Sequence, residues 1–106
     1  MNRYAVFITP EGLAGIQALP AELRRRAKHA ISALGDNPVP PGCRPLDPVE
    51  LHLPLKPGQT IHCLRMEGGR IIYTVSETRQ IVDVLAVRPR PPYDYDYIKR
   101  LMARIK

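Results

Sequence analysis

The stretch Thr60–Tyr93, TIHCLRMEGGRIIYTVSETRQIVDVLAVRPRPPY, decides the fold of this 106-residue chain. It contains three runs rich in Ile, Val, Thr and Tyr, which suit a pleated and half-buried surface. Paired glycines in the turn at 67–69 supply the positive φ that a primed hairpin turn needs, and a second turn follows at 77–79. The sequence therefore predicts an antiparallel meander of three strands, over Thr60–Met66, Arg70–Ser76 and Gln80–Val87.

Ahead of this stretch, the sequence predicts a strand and then a helix. Arg3–Ile8 alternates in side-chain type and has at least one apolar face, as a strand does. Thr9 and Pro10 then begin a helix, because threonine caps free amides and proline suits the first turn. Gly12 and Gly15 weaken that helix. We expect Arg3–Ile8 to pair beside the last strand of the meander, because a short helical hairpin can return the chain to the same sheet.

A second helix is predicted from Pro20 to about Leu34. Its apolar face consists of residues at helical spacing, namely Leu23, Ala27, Ile31 and Leu34. The arginines at 24–26 lie on the other side, where a charge run is more typical of a solvated face than of a contact surface. Gly35 should end this helix in the left-handed conformation. The two helices are expected to form a hairpin against the sheet.

Prolines dominate the segment between the helices and the meander. They forbid a helix or a long central strand over 36–57, so we expect a connection that wraps one edge of the sheet. Val49–Leu53 could add a short edge strand, and low-complexity disorder is the alternative. After the meander, prolines extend the chain through 88–92. Tyr93–Lys106 then predicts a short helix with an apolar stripe.

Composition limits the classes of function. A chain of this length forms one domain, and its two cysteines fit no metal-ligand spacing, so we expect neither a metal nor a cofactor. It has no signal peptide and no apolar run of about 20 residues, which indicates a cytoplasmic protein without a membrane partner. The net charge of +6 favours an acidic partner such as nucleic acid, the ribosome or an acidic protein. A basic, solvated surface without such a role is the alternative.

Arginines gather where the predicted strands end. Arg65 and Arg70 flank the first turn, and Arg88 and Arg90 follow the third strand. The guanidinium group matches phosphate oxygens bidentately and stays charged, but it is a poor general base. The residue type gathered at this end of the sheet is therefore suited to binding phosphate.

The order of these elements and residues resembles the RelE/ParE superfamily of type II toxins over nearly the whole chain. The resemblance is carried by Tyr4, the helix ending LGDNP, the pattern from Leu64-Arg65 through Gly68, Arg70 and Tyr73, and the strand ending VRPRPPY. It implies a single α+β domain over 1–106. Such a domain has an antiparallel β-sheet, an N-terminal helical hairpin packed on one face and a short C-terminal helix.

The resemblance also implies a function. RelE-like members cut mRNA on the ribosome, ParE-like members inhibit DNA gyrase, and an antitoxin neutralises both. By analogy with the nucleases, Arg65, Arg70 and Arg90 would face the concave side as phosphate clamps, with Tyr93 as a stacking residue or proton donor. Further RNA contacts would come from Arg88, Lys99 and Arg100.

One departure from the RelE pattern concerns proton transfer. Ile61 and Cys63 lie where RelE-like members carry catalytic lysines. The remaining acids and bases that could serve are His52, His62, Glu67, Asp94 and Asp96. Alternation places His62 on the core side, where a packed structural histidine is the favoured interpretation unless a bulge rotates it outward. The leading prediction is a ribosome-associated mRNA endoribonuclease, and the alternatives are a gyrase inhibitor and a catalytically silent binding module.

Overall fold

The computed structural model of the protein describes residues 3–47 and 55–89. Within these ranges the elements are β1 (Ala5–Ile8), α1 (Pro10–Gln17), α2 (Ala21–Ala33), β2 (Cys43–Pro45), β3 (Gln59–Met66), β4 (Gly69–Ser76) and β5 (Ile81–Pro89). The strands form one sheet in the order β1-β5-β4-β3-β2. Neighbouring strands are antiparallel except for β1, which runs parallel to β5. The α+β fold class is thus confirmed, and the predicted helix Tyr93–Lys106 lies outside the described residues.

The central meander matches the prediction, but its two turns differ from it. In the first turn only Gly68 has a positive φ, of 82°, and Gly69 already belongs to β4. A positive φ at the second central residue alone is the requirement of a type II turn, so the primed turn predicted here is wrong. In the second turn Gln80 adopts a φ of 54° and precedes the strand that was expected to include it. Its carbonyl accepts the amide of Ala5 at 3.0 Å, which begins the pairing with β1.

A β-bulge in β5 changes which of its residues share a face. Ile72 pairs with Ala86, whereas the next residue, Tyr73, pairs with Val84, so Leu85 is the additional residue. Such a bulge increases the local twist and re-aims the side chains beyond it. Because of this extra residue, Leu85 and Ala86 pack in the same apolar cluster although they are adjacent in sequence.

The N-terminal strand and first helix lie as predicted, next to the last strand of the meander. Thr9 caps α1 by accepting the amide of Gly12 at 3.0 Å, and its hydroxyl donates to the Val84 carbonyl of β5 at 3.0 Å. The glycines that weaken α1 let it approach β5 closely. A Cβ atom at Gly15 would lie 2.3 Å from the Val87 carbonyl oxygen. The helix therefore rests directly on backbone of the sheet.

The second helix has the predicted extent but not the predicted ending. Gly35 does not have a positive φ, and the chain leaves α2 through right-handed turns instead, with Leu34 at φ −62° and ψ −24°. The carbonyl of Gly35 accepts the amides of Arg3 and Tyr4, each at 2.9 Å. These two hydrogen bonds tie the end of α2 to the start of β1.

The sheet separates two apolar clusters. We call the side covered by α1 and α2 the helix face, and the side that bears Arg65, Arg70 and Arg88 the arginine face. The larger cluster lies on the helix face and includes Ile16, Ala27, Ile31, Ile71, Tyr73 and Val84. The smaller cluster lies on the arginine face and consists of Ile61, Cys63, Ile72, Leu85 and Ala86, with Leu46 and Leu55 packed against it.

The proline-rich segment contributes to both the edge and the cover of the sheet. Its described part forms β2, which pairs with β3 at the edge, and places Leu46 and Leu55 against the smaller cluster. The expectation that this segment wraps an edge is therefore confirmed for the described part. The edge strand predicted at Val49–Leu53 lies outside the described residues.

Candidate nucleic-acid interface

Three arginines form a row across three adjacent strands. Arg65 of β3 lies directly opposite Arg70 of β4, and Arg70 lies directly opposite Arg88 of β5. Residues opposite each other in antiparallel strands have Cα atoms about 4.5–5.5 Å apart and side chains on the same face. Arg65 is exposed, and the other two are half-buried. We call this set the arginine row, and it brings together three of the predicted contact residues.

Local structure explains why the row lies at the end of the sheet. Gly68 closes the β3–β4 hairpin, and only the pair Met66–Gly69 separates Arg65 and Arg70 from the turn. The next row inward on the same face consists of Cys63, Ile72 and Ala86, which are all buried. The charges thus border an apolar surface at one end of the arginine face.

Arg44 is a fourth arginine on this face that sequence reasoning missed. It pairs with Cys63, so it lies beside the second row, and it is exposed. Its strand has three residues and ends at Pro45, which is too short for a periodic pattern. The only local signal is Gly42, whose φ of 89° marks the turn into β2.

The other predicted site residues divide into those outside the described residues and those directed elsewhere. The first group consists of Arg90, Tyr93, Lys99, Arg100, His52, Asp94 and Asp96. Glu67 is in the hairpin turn, but its carboxylate forms an ion pair with Arg26 of α2 at 3.1 Å. This ion pair links the hairpin turn to α2.

His62 is buried on the helix face, as alternation predicted. Its ring stacks on Tyr73 with centroids 5.5 Å apart, and its Nε2 atom is 2.9 Å from the Thr60 hydroxyl. Burial lowers the pKa of His62, and the charge of Glu77 opposes that shift. The register shift of the sheet lies between β4 and β5, so it does not rotate His62 outward. His62 therefore does not join the arginine row.

The two positions at which the resemblance would place lysines are apolar and enclosed. Ile61 and Cys63 lie on the arginine face with 1% and 3% of their surface exposed. Asp83 also lies on this face, where it pairs with Thr74, and burial raises its pKa against the opposing charges of Arg79 and Lys56. It is five residues from Arg88 along β5, or roughly 16 Å at about 3.3 Å per residue. The described part of the row can bind anions but has no adjacent general base.

Two further properties bear on the class of function. Within residues 3–47 and 55–89, no group of three or more His, Cys, Asp or Glu side chains is arranged to hold a metal ion. Over the same ranges, neither helix has the length and apolar character needed to cross a membrane.

Comparison with known proteins finds similar folds but no match to a protein-family model or a curated sequence. No protein-family model matches the chain, and neither does any curated protein. The RelE–RelB complex of the archaeon Pyrococcus horikoshii matches with a TM-score of 0.71 and 22% identity over 86% of this chain and 99% of that chain. The RelBE2 toxin–antitoxin complex of Mycobacterium tuberculosis matches with a TM-score of 0.65 and 19% identity over 83% of this chain and 99% of that chain.

A third solved structure covers both chains completely. A double arginine mutant of the E. coli toxin RelE in the free state matches with a TM-score of 0.62 and 19% identity over 100% of each chain. Identities this low establish shared architecture, and the resemblance predicted from the sequence is confirmed at that level. The protein has the fold of the RelE toxins.

Proposed function

We propose that this protein is the toxin of a type II toxin–antitoxin system and cuts mRNA on the ribosome without a metal ion. The observation that supports this most directly is the arginine row on a RelE-type sheet. Arg65, Arg70 and Arg88 lie side by side on one face at the end of three strands. Guanidinium groups placed in this way can donate charge-assisted hydrogen bonds to the oxygens of one phosphate group. The row is thus suited to an anionic ligand.

The proposed reaction gives these arginines a defined task. Cleavage of RNA without a metal requires activation of a 2′-hydroxyl, stabilisation of the crowded phosphate and protonation of the leaving oxygen. Guanidinium groups suit the second task, because their charge-assisted hydrogen bonds strengthen as negative charge develops. In this proposal Arg65, Arg70 and Arg90 clamp the phosphate and Tyr93 stacks on a base or donates a proton. Arg88, Lys99 and Arg100 hold the RNA backbone.

The charge of the chain supports the proposed partners. A net charge of +6 favours association with the ribosome and mRNA in the cytoplasm. It also favours an acidic antitoxin, and two of the similar structures were solved as RelE-type toxins with their antitoxins. We propose that an acidic antitoxin segment contacts Arg65, Arg70 and the end of the chain at 100–106.

The dependence of binding on salt concentration tests the proposed contact with the antitoxin. Electrostatic association weakens as ionic strength rises, and reversing a contact charge should weaken it further. We therefore expect binding of the co-encoded antitoxin, measured by titration calorimetry, to fall with added salt and with Arg70→Glu. Binding that is indifferent to both would contradict the proposed contact.

A ParE-like gyrase inhibitor, or a catalytically silent binding module, is the second candidate. It is favoured by the surroundings of the arginine row, where Ile61 and Cys63 replace the lysines of RelE-like nucleases. His62 faces the opposite side and Glu67 is paired with Arg26. A protein that only binds its target needs no proton-transfer group beside the row.

One experiment distinguishes the two candidates. Primer extension on mRNA from cells that express the protein should show discrete cuts, and these should be lost in Arg70→Ala. A supercoiling reaction with purified DNA gyrase, run in parallel with the same preparation, should remain active. Intact mRNA together with blocked supercoiling would replace the nuclease with the gyrase inhibitor, and the absence of both effects would favour the binding module.

A further inference from the structure

A polar cluster lies on the helix face, where β2 meets β3. The Cys43 sulfur is 3.5 Å from Nδ1 of His62 and 3.1 Å from the hydroxyl oxygen of Tyr73. The other ring nitrogen of His62, Nε2, is 2.9 Å from the Thr60 hydroxyl. Tyr73 donates its hydroxyl proton to the Pro38 carbonyl at 2.7 Å. The proposed phosphate chemistry, which occurs on the opposite face, uses none of these groups.

The arrangement has the parts of an activated nucleophile. A nucleophilic thiol needs a base within hydrogen-bond reach, and the base needs a third group that fixes its orientation. His62 is the base and Thr60 is the third group. When Nε2–H donates to the Thr60 oxygen, Nδ1 presents its lone pair to the Cys43 thiol. Burial lowers the pKa of His62, which keeps the ring neutral at pH 7, with Nδ1 able to accept a hydrogen bond from the thiol.

Tyr73 supplies stabilisation for the thiolate. Burial raises the pKa of Tyr73, so its hydroxyl keeps its proton and remains a donor. That proton can turn from the Pro38 carbonyl to the sulfur, which lies only slightly farther away. A hydrogen bond to an ionised acceptor is stronger than one to a neutral acceptor.

The two cysteines differ in access and in orientation. Cys43 is half-buried on the edge strand β2, whereas Cys63 is 3% exposed on the interior strand β3. Cys43 pairs with Leu64 on the helix face, and Cys63 pairs with Arg44 on the arginine face. The two sulfurs therefore point to opposite sides of the sheet, and an external molecule must supply the partner of Cys43 in any disulfide.

We propose that Cys43 is a modification site that undergoes thiol–disulfide exchange with a low-molecular-weight disulfide. His62 takes the proton from the Cys43 thiol, and the resulting thiolate attacks one sulfur of the disulfide. A new bond forms between that sulfur and Cys43 while the original sulfur–sulfur bond breaks. The released thiolate takes up the proton from His62. Cys43 is oxidised to a mixed disulfide, and the small disulfide is reduced.

The test measures the rate at which glutathione disulfide modifies the folded, full-length protein at pH 7. Intact-mass spectrometry counts the adducts, and peptide mapping locates them. We expect one adduct at Cys43, at the same rate in Cys63→Ala as in the parent, and none in Cys43→Ser. An adduct that forms first at Cys63, or at Cys43 only after denaturation, would overturn the proposal.

Two variants test the roles of the neighbours. His62→Gln removes the proton acceptor and should slow modification about tenfold or more, since general bases contribute on the order of a hundredfold. Thr60→Val should slow it roughly twofold to tenfold, the effect of one hydrogen bond, while Thr60→Ser keeps the hydroxyl and should retain the rate. Thr60 is exposed, so its replacement leaves the core intact even if His62→Gln fails to fold.

The direction of these changes separates proton transfer from a structural role. A variant that only loosened the fold would expose the thiol and react faster. Slower modification, with circular dichroism unchanged, supports the role of His62 and Thr60. Equal or faster rates in Thr60→Val would overturn it.

Discussion

The two faces of the sheet differ in the surroundings of their polar side chains. On the helix face, His62 and Tyr73 are buried, and each contacts polar atoms of neighbouring residues. On the arginine face, three side chains of the same charge lie directly opposite one another at the end of the strands. Satisfied hydrogen bonds stabilise the fold, whereas like charges placed opposite each other reduce its stability. The comparison indicates that the buried, hydrogen-bonded polar groups and the proposed phosphate-binding groups lie on different sides of one sheet.

The largest expected effect is a loss of mRNA cleavage when an arginine of the arginine face is replaced. Arg70→Ala removes the central member of the row and should slow mRNA cleavage about a hundred- to a thousandfold, or about 2.7–4 kcal/mol of transition-state stabilisation. Single-turnover cleavage on programmed ribosomes measures this. Arg25→Ala is the matched control, because it removes the same charge from an exposed position on α2. Equal losses in the two variants would mean that net charge, and not the row, determines the rate.

A substitution at the contact between α1 and the sheet tests the other face. Gly15→Ala should destabilise the fold by about 2–3 kcal/mol, because its Cβ would lie 2.3 Å from the Val87 carbonyl oxygen and the helix would have to shift. Urea unfolding measures the change. Ala14→Gly, at an exposed position of the same helix, should cost only about 1 kcal/mol through helix propensity. If Gly15→Ala instead stabilised the protein, the close contact would be unimportant.

Removing the hydroxyl of Tyr73 on the helix face should cause a smaller loss of stability. Tyr73→Phe leaves the Pro38 carbonyl without its donor and should lower the free energy of unfolding by about 1–2 kcal/mol. Tyr4→Phe is the comparison, since its partner Glu77 is exposed and water can replace the lost hydrogen bond. We expect a clearly smaller loss there. A larger loss in Tyr4→Phe would show that burial does not determine the cost.

The smallest expected effect is a gain in stability, and it tests directly whether the arginine row reduces the stability of the fold. Arg65→Gln relieves repulsion with Arg70 and should raise the free energy of unfolding by about 0.2–1 kcal/mol at low salt. Salt should remove the gain, because it screens exposed charges. Arg44→Gln is the control, since Arg44 is also exposed but lies opposite the neutral Cys63. Destabilisation by Arg65→Gln at low salt would contradict the idea that the row costs stability.

Sequence reasoning was most accurate where periodicity was strong. The alternation in β3 and β4 predicted which residues share a face, and both faces of these strands are buried along much of their length. The position of β1 followed from the short helical hairpin. The row of arginines followed from the hairpin register, once the turn was located at Gly68.

The errors arose where tertiary contacts override local preference. Gly35 suggested a left-handed helix end, but its carbonyl is needed by the amides of Arg3 and Tyr4, which no local pattern reveals. The bulge at Leu85 and the strand that contains Arg44 depend on pairing between distant segments. The contact between Cys43 and His62 joins residues 19 positions apart through the same pairing. Such features have no periodic signal in a single sequence.

The two glycines of α1 also bear on what stabilises this helix. Glycine lowers helix propensity, and an eight-residue helix is too short to persist alone in water. A contact that offsets this is the hydrogen bond from the Thr9 hydroxyl to the Val84 carbonyl of β5, which is 75 residues away along the chain. The helix α1 is therefore stabilised by its docking on β5 and not by its own residues, so the most local element of the fold depends on one of its most distant contacts.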